Sequence, residues 1–584
     1  MQTQWNLSEL FYTSLDDPQI EKDVAAFEEA QEAFAKKYKD TDAYVRDPEV
    51  LAQALEERYA IEERALTKPL YYLFFLRDCD AENTKAQALE AKLSERYTKA
   101  EIKTTFFDVA LAKISKEDQE KLLKAPALEK YTYYLSEVFT NAEFVLSDAE
   151  EKIMARKSDV SHSRWTNMVS GLLAKSSVQF QDKDLPLPEA LERVPDLPTS
   201  KERNELWENI TAKLKELSEV SAHELNAVVT NHRINTEIRG YKRPEQPSIR
   251  GNENEMGVID ALIDATKDRY TISHDFYNAK AKLFKEDTLA YVDRNAPIGE
   301  FETSFTFEKS VEIVTDAFAR LNPRYAEIFQ EFLANGQIDV YPRKGKDSGG
   351  YAAYGINVPS MLFLNHTDSI GSLKTLAHEM GHAIHYERAK QQPAIYQGHS
   401  TAVAETASTL FEQVVEDALM EYLPENDKKL LLHESAQNDI NTIFRQTAAY
   451  RFEQDLHAKI AEEGFLAAKD IAALLNTHSR EQMGSAINIT ENDGYSYVYW
   501  SHFRRFFYVY TYVYGKLVSR ALFARWKKDS NYAEAIDTFL SRGGSIGAED
   551  IFREAGLSFE NGEVFTEGLD QVRADVDRFA NEAK

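Results

Sequence analysis

The stretch Thr375-Leu-Ala-His378-Glu379-Met-Gly-His382-Ala-Ile-His385 sets two imidazoles and a carboxylate at a spacing that suits a divalent metal. On a helix, residues four apart share one face about 6 Å from each other, so His378 and His382 can each give one ring nitrogen to the same cation. This is the H-E-x-x-H arrangement. Glu379 then flanks the cation rather than binding it and can reach a metal-bound water, the place of a general base. Neutral imidazole suits Zn²⁺, and a zinc site that keeps one position for water is the kind that does chemistry.

A third ligand has to lie downstream. In a metzincin it is a His six residues after the second one, but that position holds Arg388 here, and the position of the motif's Gly holds His385. The metzincin reading fails. The better candidate is Glu405 in Thr401-Ala-Val-Ala-Glu405-Thr-Ala-Ser408, where Ser400 or Thr401 can cap a second helix. Its carboxylate completes a His₂Glu site with an open fourth position. Ser408 and Glu412 fall on the same helix face as Glu405 and could hydrogen-bond the ligands, although Glu412 reads equally well as a solvated-face carboxylate. His385 reads as a packed or supporting histidine, since two His and one Glu already fill the protein's share.

These residues need a large scaffold. At 584 residues the chain exceeds the size at which one hydrophobic core stops growing, so two lobes or more are expected. Lys plus Arg is 69 and Asp plus Glu is 97, a net charge of −28, which argues against binding nucleic acid or an anionic membrane. The single cysteine, Cys79, excludes an intramolecular disulfide and fits a cytoplasmic setting. No signal peptide is expected from the opening residues around Trp5-Asn-Leu-Ser-Glu-Leu10, and the longest apolar run, Leu70 to Leu76, is far too short to span a bilayer. Oligomeric state is not legible.

After Asp17-Pro18, apolar Ile20, Val24, Phe27, Phe34 and Tyr38 recur at helical spacing between charged residues. Most of the first 170 residues share this texture. The clearest break is Gln181 to Ser200, where Pro186, Pro188, Pro195 and Pro198 leave room for one short helix, Glu189 to Val194. It suggests an N-terminal helical lobe over 1–185, a Pro-rich junction over 186–200 and a catalytic region over 201–584. Short β segments are expected at Leu289 to Asp293 and Gly336 to Tyr341. The loop Pro342 to Gly355 carries Gly349, Gly350 and Tyr351 and reads as a flexible cover or edge for an extended substrate beside the metal.

Near the C-terminal end, Tyr495 to Gly515 is dense in phenols. Tyr508, Tyr510, Tyr512 and Tyr514 alternate, which on pattern alone says strand, while the surroundings say helix. Core filling accounts for most of them, yet a phenol or imidazole aimed at a carbonyl is what a zinc peptidase needs to stabilise the tetrahedral oxyanion.

Taken together, His378-Glu-Met-Gly-His382, Glu405-Thr-Ala-Ser408 and His502-Phe…Phe507-Tyr-Val-Tyr510-Thr-Tyr512 resemble the oligoendopeptidase F branch of the thimet oligopeptidase (M3) metallopeptidase family. Trp5 to Leu10, Arg239-Gly-Tyr241, Asp293…Pro297, Arg343-Lys-Gly-Lys…Ser348-Gly349, Gly543-Gly-Ser545 and Ala555-Gly556 agree, so the similarity runs nearly end to end. Departures are Ser501 where a proline is expected, Asp347 where a basic residue is common, and Thr511 for a glutamine.

The resemblance implies a mainly α, two-lobed helical body around a deep substrate channel, with a minor β element near the metal site. It implies one zinc ion on His378, His382 and Glu405, catalysis by Glu379, and His502 and Tyr510 as hydrogen-bond donors to the scissile carbonyl or the intermediate. The expected activity is zinc-dependent hydrolysis of internal bonds in short unstructured oligopeptides. A helical zinc carboxypeptidase or dipeptidyl carboxypeptidase is the rival within enzymes, and a non-catalytic peptide-binding helical protein the rival outside them.

Overall fold

A computed structural model describes residues 2–582. The chain is mainly helical with a few small strands. At the Asp17-Pro18 step the Asp17 carboxylate accepts the Gln19 N–H, and Pro18, which has no N–H to leave unpaired, takes the first helical position. The resulting helix α1 (Pro18–Tyr38) buries Ile20, Val24, Phe27, Phe34 and Tyr38, the stripe that the periodicity marks. Helix α2 (Lys68–Cys79) adds Tyr72, Leu73 and Phe75 to the same core.

Two hydrophobic cores result. One gathers residues from Trp5 to Phe139 and takes in Val358, Met361 and Phe363 from much later in the chain. The other runs from Val178 to Phe579. The proline-rich segment expected between the lobes is built into the second core. Strands β1 (Ser177–Phe180) and β2 (Lys183–Pro186) form an antiparallel hairpin, followed by a helix over Leu187–Arg193. Val178, Phe180, Leu185, Leu187, Val194 and Leu197 are buried there. Pro186 ends an edge strand and Pro188 lies in the first turn of a helix, both places where a missing N–H costs little. The cores therefore part earlier, between Phe139 and Val178.

Helix α3 (Ser200–Arg239) is capped by Thr199, whose hydroxyl accepts the Glu202 N–H, and ends at Gly240 in the left-handed conformation. A short helix α4 (Gln246–Gly251) follows. The expected strand at Leu289 to Asp293 shrinks to the pair β3 (Leu289–Ala290) before a 3₁₀ turn, and Gly336 to Tyr341 yields only β4 (Ile338–Asp339). The glycine-rich stretch supplies more: β5 (Tyr351–Gly355) and β6 (Val358–Phe363) complete a sheet of order β4-β6-β5, with β5 at the edge. The Trp5 indole donates to the carbonyls of Leu362 and Gln337, fastening the first lobe to this sheet.

Three helices then carry the site, α5 (Ile370–Ala389), α6 (Thr401–Leu419) and α8 (Tyr510–Lys528), and α7 (Arg445–Glu463) packs against α8. Helix α6 lies between α5 and α8. Among the described residues no helix is long and apolar enough to cross a membrane.

Candidate metal centre

Two glycines set how closely these helices approach. A Cβ on Gly381, inside the H-E-x-x-H motif, would stand 2.9 Å from the Ser408 Cα and 3.0 Å from the Phe411 Cβ, so α5 and α6 touch backbone to backbone. On the other side of α6, a Cβ on Gly515 would lie 3.0 Å from the Glu405 Cβ.

Between them His378, His382 and Glu405 converge. One donor atom from each lies within 4.8 Å of the others, and all three are half-buried. His378 Nε2 is 3.8 Å from Glu405 Oε2, and the two imidazole centroids are 5.0 Å apart. Donors about 2.1 Å from one tetrahedral ion stand roughly 3.4 Å apart, so small rotations would bring this set onto a zinc ion. Burial, with His378 and His399 adding, pushes His382 down to about 3, which keeps it the neutral imidazole that a metal binds.

The second nitrogen of His378, Nδ1, lies 3.5 Å from Glu412 Oε2, leaving Nε2 turned toward Glu405. Burial pushes the Glu412 carboxyl up, but the Lys374 ammonium and the His378 contact outweigh it and hold it below the usual carboxylate range. Lys374 Nζ is 3.4 Å from Glu412 Oε1 and also pairs with Glu416. Lys374 is a residue that sequence reasoning missed; it stands four positions ahead of His378, on the same helix face.

Glu379 is raised above the usual range by burial and by the charge of Glu405, against the pull of His378 and the Ala352 N–H. Gly349, at φ +84°, and Gly350 turn the chain into β5 beside it, and a Cβ on Gly350 would lie 3.7 Å from the Glu379 Cγ. Tyr351 points elsewhere: its ring stacks on Phe363 at 4.9 Å and its hydroxyl donates to Asp78. The base of this loop, expected to be flexible, is stapled to the first lobe. Asp347 N donates to the Asp78 carbonyl and Ala81 N to the Gly345 carbonyl. The fully buried Lys346 ammonium is 2.7 Å from Asp339 Oδ1 and donates to the carbonyls of Tyr341 and Leu364.

His502 lies beside Tyr512, with its Nε2 3.5 Å from the Tyr512 hydroxyl. Tyr508 meets Tyr512 edge-on at 5.3 Å. Burial, then Tyr508 and then the charge of Glu405, raise the Tyr512 phenol, and Tyr512 stands one turn before Gly515, which packs on Glu405. Tyr510 is not brought there. It is fully buried, donates to Asn254 Oδ1 at 3.1 Å and lies against Tyr450. The reason is helical phase: α8 starts at Tyr510, so Tyr512 and Gly515 share the face toward α6, and Tyr510 and Tyr514 lie on another.

The remaining expected residues support packing. Ser408 is fully buried and its hydroxyl donates to the Glu405 carbonyl at 3.2 Å, away from the ligand side chains. Ser400 stands at the α6 N-cap position without a side-chain capping bond. His385 is fully buried and stacks on His399 at 3.8 Å, outside the triad. Arg388 is bound to Asp537 through two hydrogen bonds. Tyr354 on β5 was not legible as a site residue; its phenol is raised by burial and by the charges of Glu405 and Glu379 among others, and lies 3.3 Å from His399 Nε2. A cavity of about 570 Å³ opens between Arg58, Glu62 and Tyr71 of the first lobe and Tyr354, Tyr386 and Gly398 much later in the chain.

A helical body that sets an H-E-x-x-H helix against a carboxylate on the next helix has the layout of a metallopeptidase centre. The comparisons agree: residues 196–571 match peptidase family M3 and residues 111–174 match Oligopeptidase F, and the chain belongs to peptidase family M3. It is 25% identical to Oligopeptidase PepF of Bacillus subtilis over 89% of this chain and 80% of that one. It is 24% identical to Group B oligopeptidase PepB of Streptococcus agalactiae over 87% and 86%. Among solved structures, one from Chlamydophila abortus superposes with a TM-score of 0.85 at 20% identity, covering 99% of this chain and 98% of that one. Oligoendopeptidase-F from Enterococcus faecium gives 0.69 at 18% identity, covering 97% and 98%.

Proposed function

We propose that the chain is a zinc-dependent endopeptidase that hydrolyses internal bonds of short, unstructured oligopeptides. The observation that carries this is the convergence of His378, His382 and Glu405 within 4.8 Å, with Glu379 on the same helix as both histidines. A zinc ion on these three would polarise the scissile carbonyl and acidify a neighbouring water. Glu379, half-buried on the same helix between the two histidines, takes the proton of the attacking water and passes it to the leaving amine.

Strand β5 is the outer strand beside Glu379, with its Ala352 N–H held by that carboxylate and its Tyr354 carbonyl accepting the Tyr71 hydroxyl, and an extended peptide adding to this edge would take over these main-chain groups. Tyr512 replaces Tyr510 as the phenol expected to donate to the developing oxyanion, with His502 and Tyr508 beside it. That two relatives are named oligopeptidases supports peptides as substrates.

Mass spectrometry of a mixed peptide library tests the reading. Internal cuts in peptides with blocked C-termini, lost on chelation and restored by Zn²⁺, are expected. Trimming from free C-termini alone, or cleavage indifferent to chelator, would overturn it.

A further inference from the structure

The turn that leads into α8 is strained. Phe506 and Phe507 sit consecutively at φ 47° and 56°, a region that side chains with a Cβ avoid. Such a conformation persists only where the surroundings over-determine it. Here they do. The Phe507 N–H donates to Glu453 Oε1 at 2.8 Å, and the Phe507 carbonyl accepts the Ser248 hydroxyl at 2.9 Å. The Phe506 ring stacks on His232 at 4.2 Å. One step back, Arg504 is locked by Glu224, Ser221 and the Tyr497 carbonyl.

Glu453 is the unusual member. It lies on α7, fully buried, and its Oε2 has no hydrogen-bond partner among the described residues. Burial, with the nearby charge of Glu245 adding, pushes this carboxyl up to about 8, against the Phe507 N–H that lowers it. A buried acid with one oxygen unpaired is a poor choice for stability alone. What it does contribute is an acceptor for the one main-chain N–H that starts the run Tyr508 to Tyr512.

We propose that Glu453 and Ser248 clamp the Phe507 backbone, one at its N–H and the other at its carbonyl, and thereby set the position of Tyr508 and Tyr512 relative to the metal centre. Glu453 is then a positioning residue, acting through the tyrosines. This rests on the peptidase reading above.

The test compares the full-length zinc enzyme with Glu453→Leu, Glu453→Gln and Ser248→Ala, each alone and combined with Tyr512→Phe. Glu453→Leu is expected to lower kcat about 10- to 100-fold at unchanged zinc content and nearly unchanged KM. Glu453→Gln, which keeps an acceptor oxygen, should restore most of it. In the Tyr512→Phe background the loss should largely vanish, because both changes remove the same contribution. Ser248→Ala, a milder change, should show the same coupling even if Glu453→Leu folds poorly. Hydrogen exchange adds a readout independent of activity: amides of residues 505–509 should lose protection in the variants while the other helices keep theirs.

Losses that are additive with Tyr512→Phe, or unchanged protection of 505–509, would overturn the clamp. A wild-type chain that cuts no peptide would overturn the peptidase reading instead, and the exchange data would still decide the clamp.

Discussion

Gly381 and Ser408 meet so closely that a methyl group on the first would stand 2.9 Å from the Cα of the second. The contact is with backbone, which cannot rotate out of the way, so the spacing of α5 and α6 depends on glycine at this one position. Since α5 carries His378 and His382 and α6 carries Glu405, the same contact sets the separation of the ligands. Gly381→Ala is therefore expected to cost about 1–3 kcal/mol by overpacking and to weaken zinc retention. Thermal unfolding with zinc analysis of the dialysed variant checks both, and wild-type values would show that the helices do not need this contact.

Glu412 is expected to act through His378 rather than on substrate. Replacing it with Gln removes the charge facing Nδ1 and leaves Lys374 beside a neutral amide, so zinc affinity should fall about 10- to 100-fold, the usual effect of losing a ligand's hydrogen-bonded support. Competition with a metal-sensitive dye measures this. An unchanged affinity would make Glu412 a packing residue.

Tyr512→Phe and Tyr510→Phe should behave differently, although the sequence presents the two phenols alike. The first is expected to lower kcat about 10²-fold, as an oxyanion donor would. The second loses a buried hydrogen bond to Asn254 and should cost about 1 kcal/mol of stability with little change in kcat. Steady-state kinetics on both variants separates the two effects. A larger kcat loss from Tyr510→Phe would reverse the assignment.

The buried Glu453 should make stability fall as pH rises. Its carboxyl is raised from an ordinary value of 4.5 to about 8 in the fold. Below about pH 4 both folded and unfolded chains hold the proton and the group is neutral in the balance. Between there and pH 8 the unfolded chain has released a proton that the folded chain keeps, so unfolding is increasingly favoured; above pH 8 the slope ends. Glu453→Gln removes this contribution, so its thermal midpoint relative to wild type should climb from pH 5 to pH 8. A difference that stays flat over that window would show that the acid is not held protonated.

The metal helix, its partner carboxylate and the amphipathic face of α1 were legible because each rests on local periodicity: four-residue spacing for His378 and His382, and the stripe Ile20 to Tyr38. Glu405 was legible as a carboxylate in the first turns of a second helix downstream, whose start Ser400 and Thr401 mark. The tyrosine run was not, because alternation fixes no helical phase until the start of α8 at Tyr510 is known. Lys374 could have been found as a cation one turn before His378. The hairpin β5–β6 was hidden under glycines that read as loop, and the proline-rich segment hid a hairpin and helix that pack into the second lobe. Glu453 and Ser248 carry no local sequence signal, since their roles arise from contacts made 54 and 259 residues away.

Zinc stoichiometry is the most direct test. After purification, chelation and reloading, atomic spectrometry should find one zinc per wild-type chain and one per Glu379→Gln chain, the latter without turnover, but almost none on Glu405→Ala. A full complement of zinc on Glu405→Ala, or normal turnover by Glu379→Gln, would contradict a centre built from two imidazoles, a carboxylate of the adjoining helix and a neighbouring base.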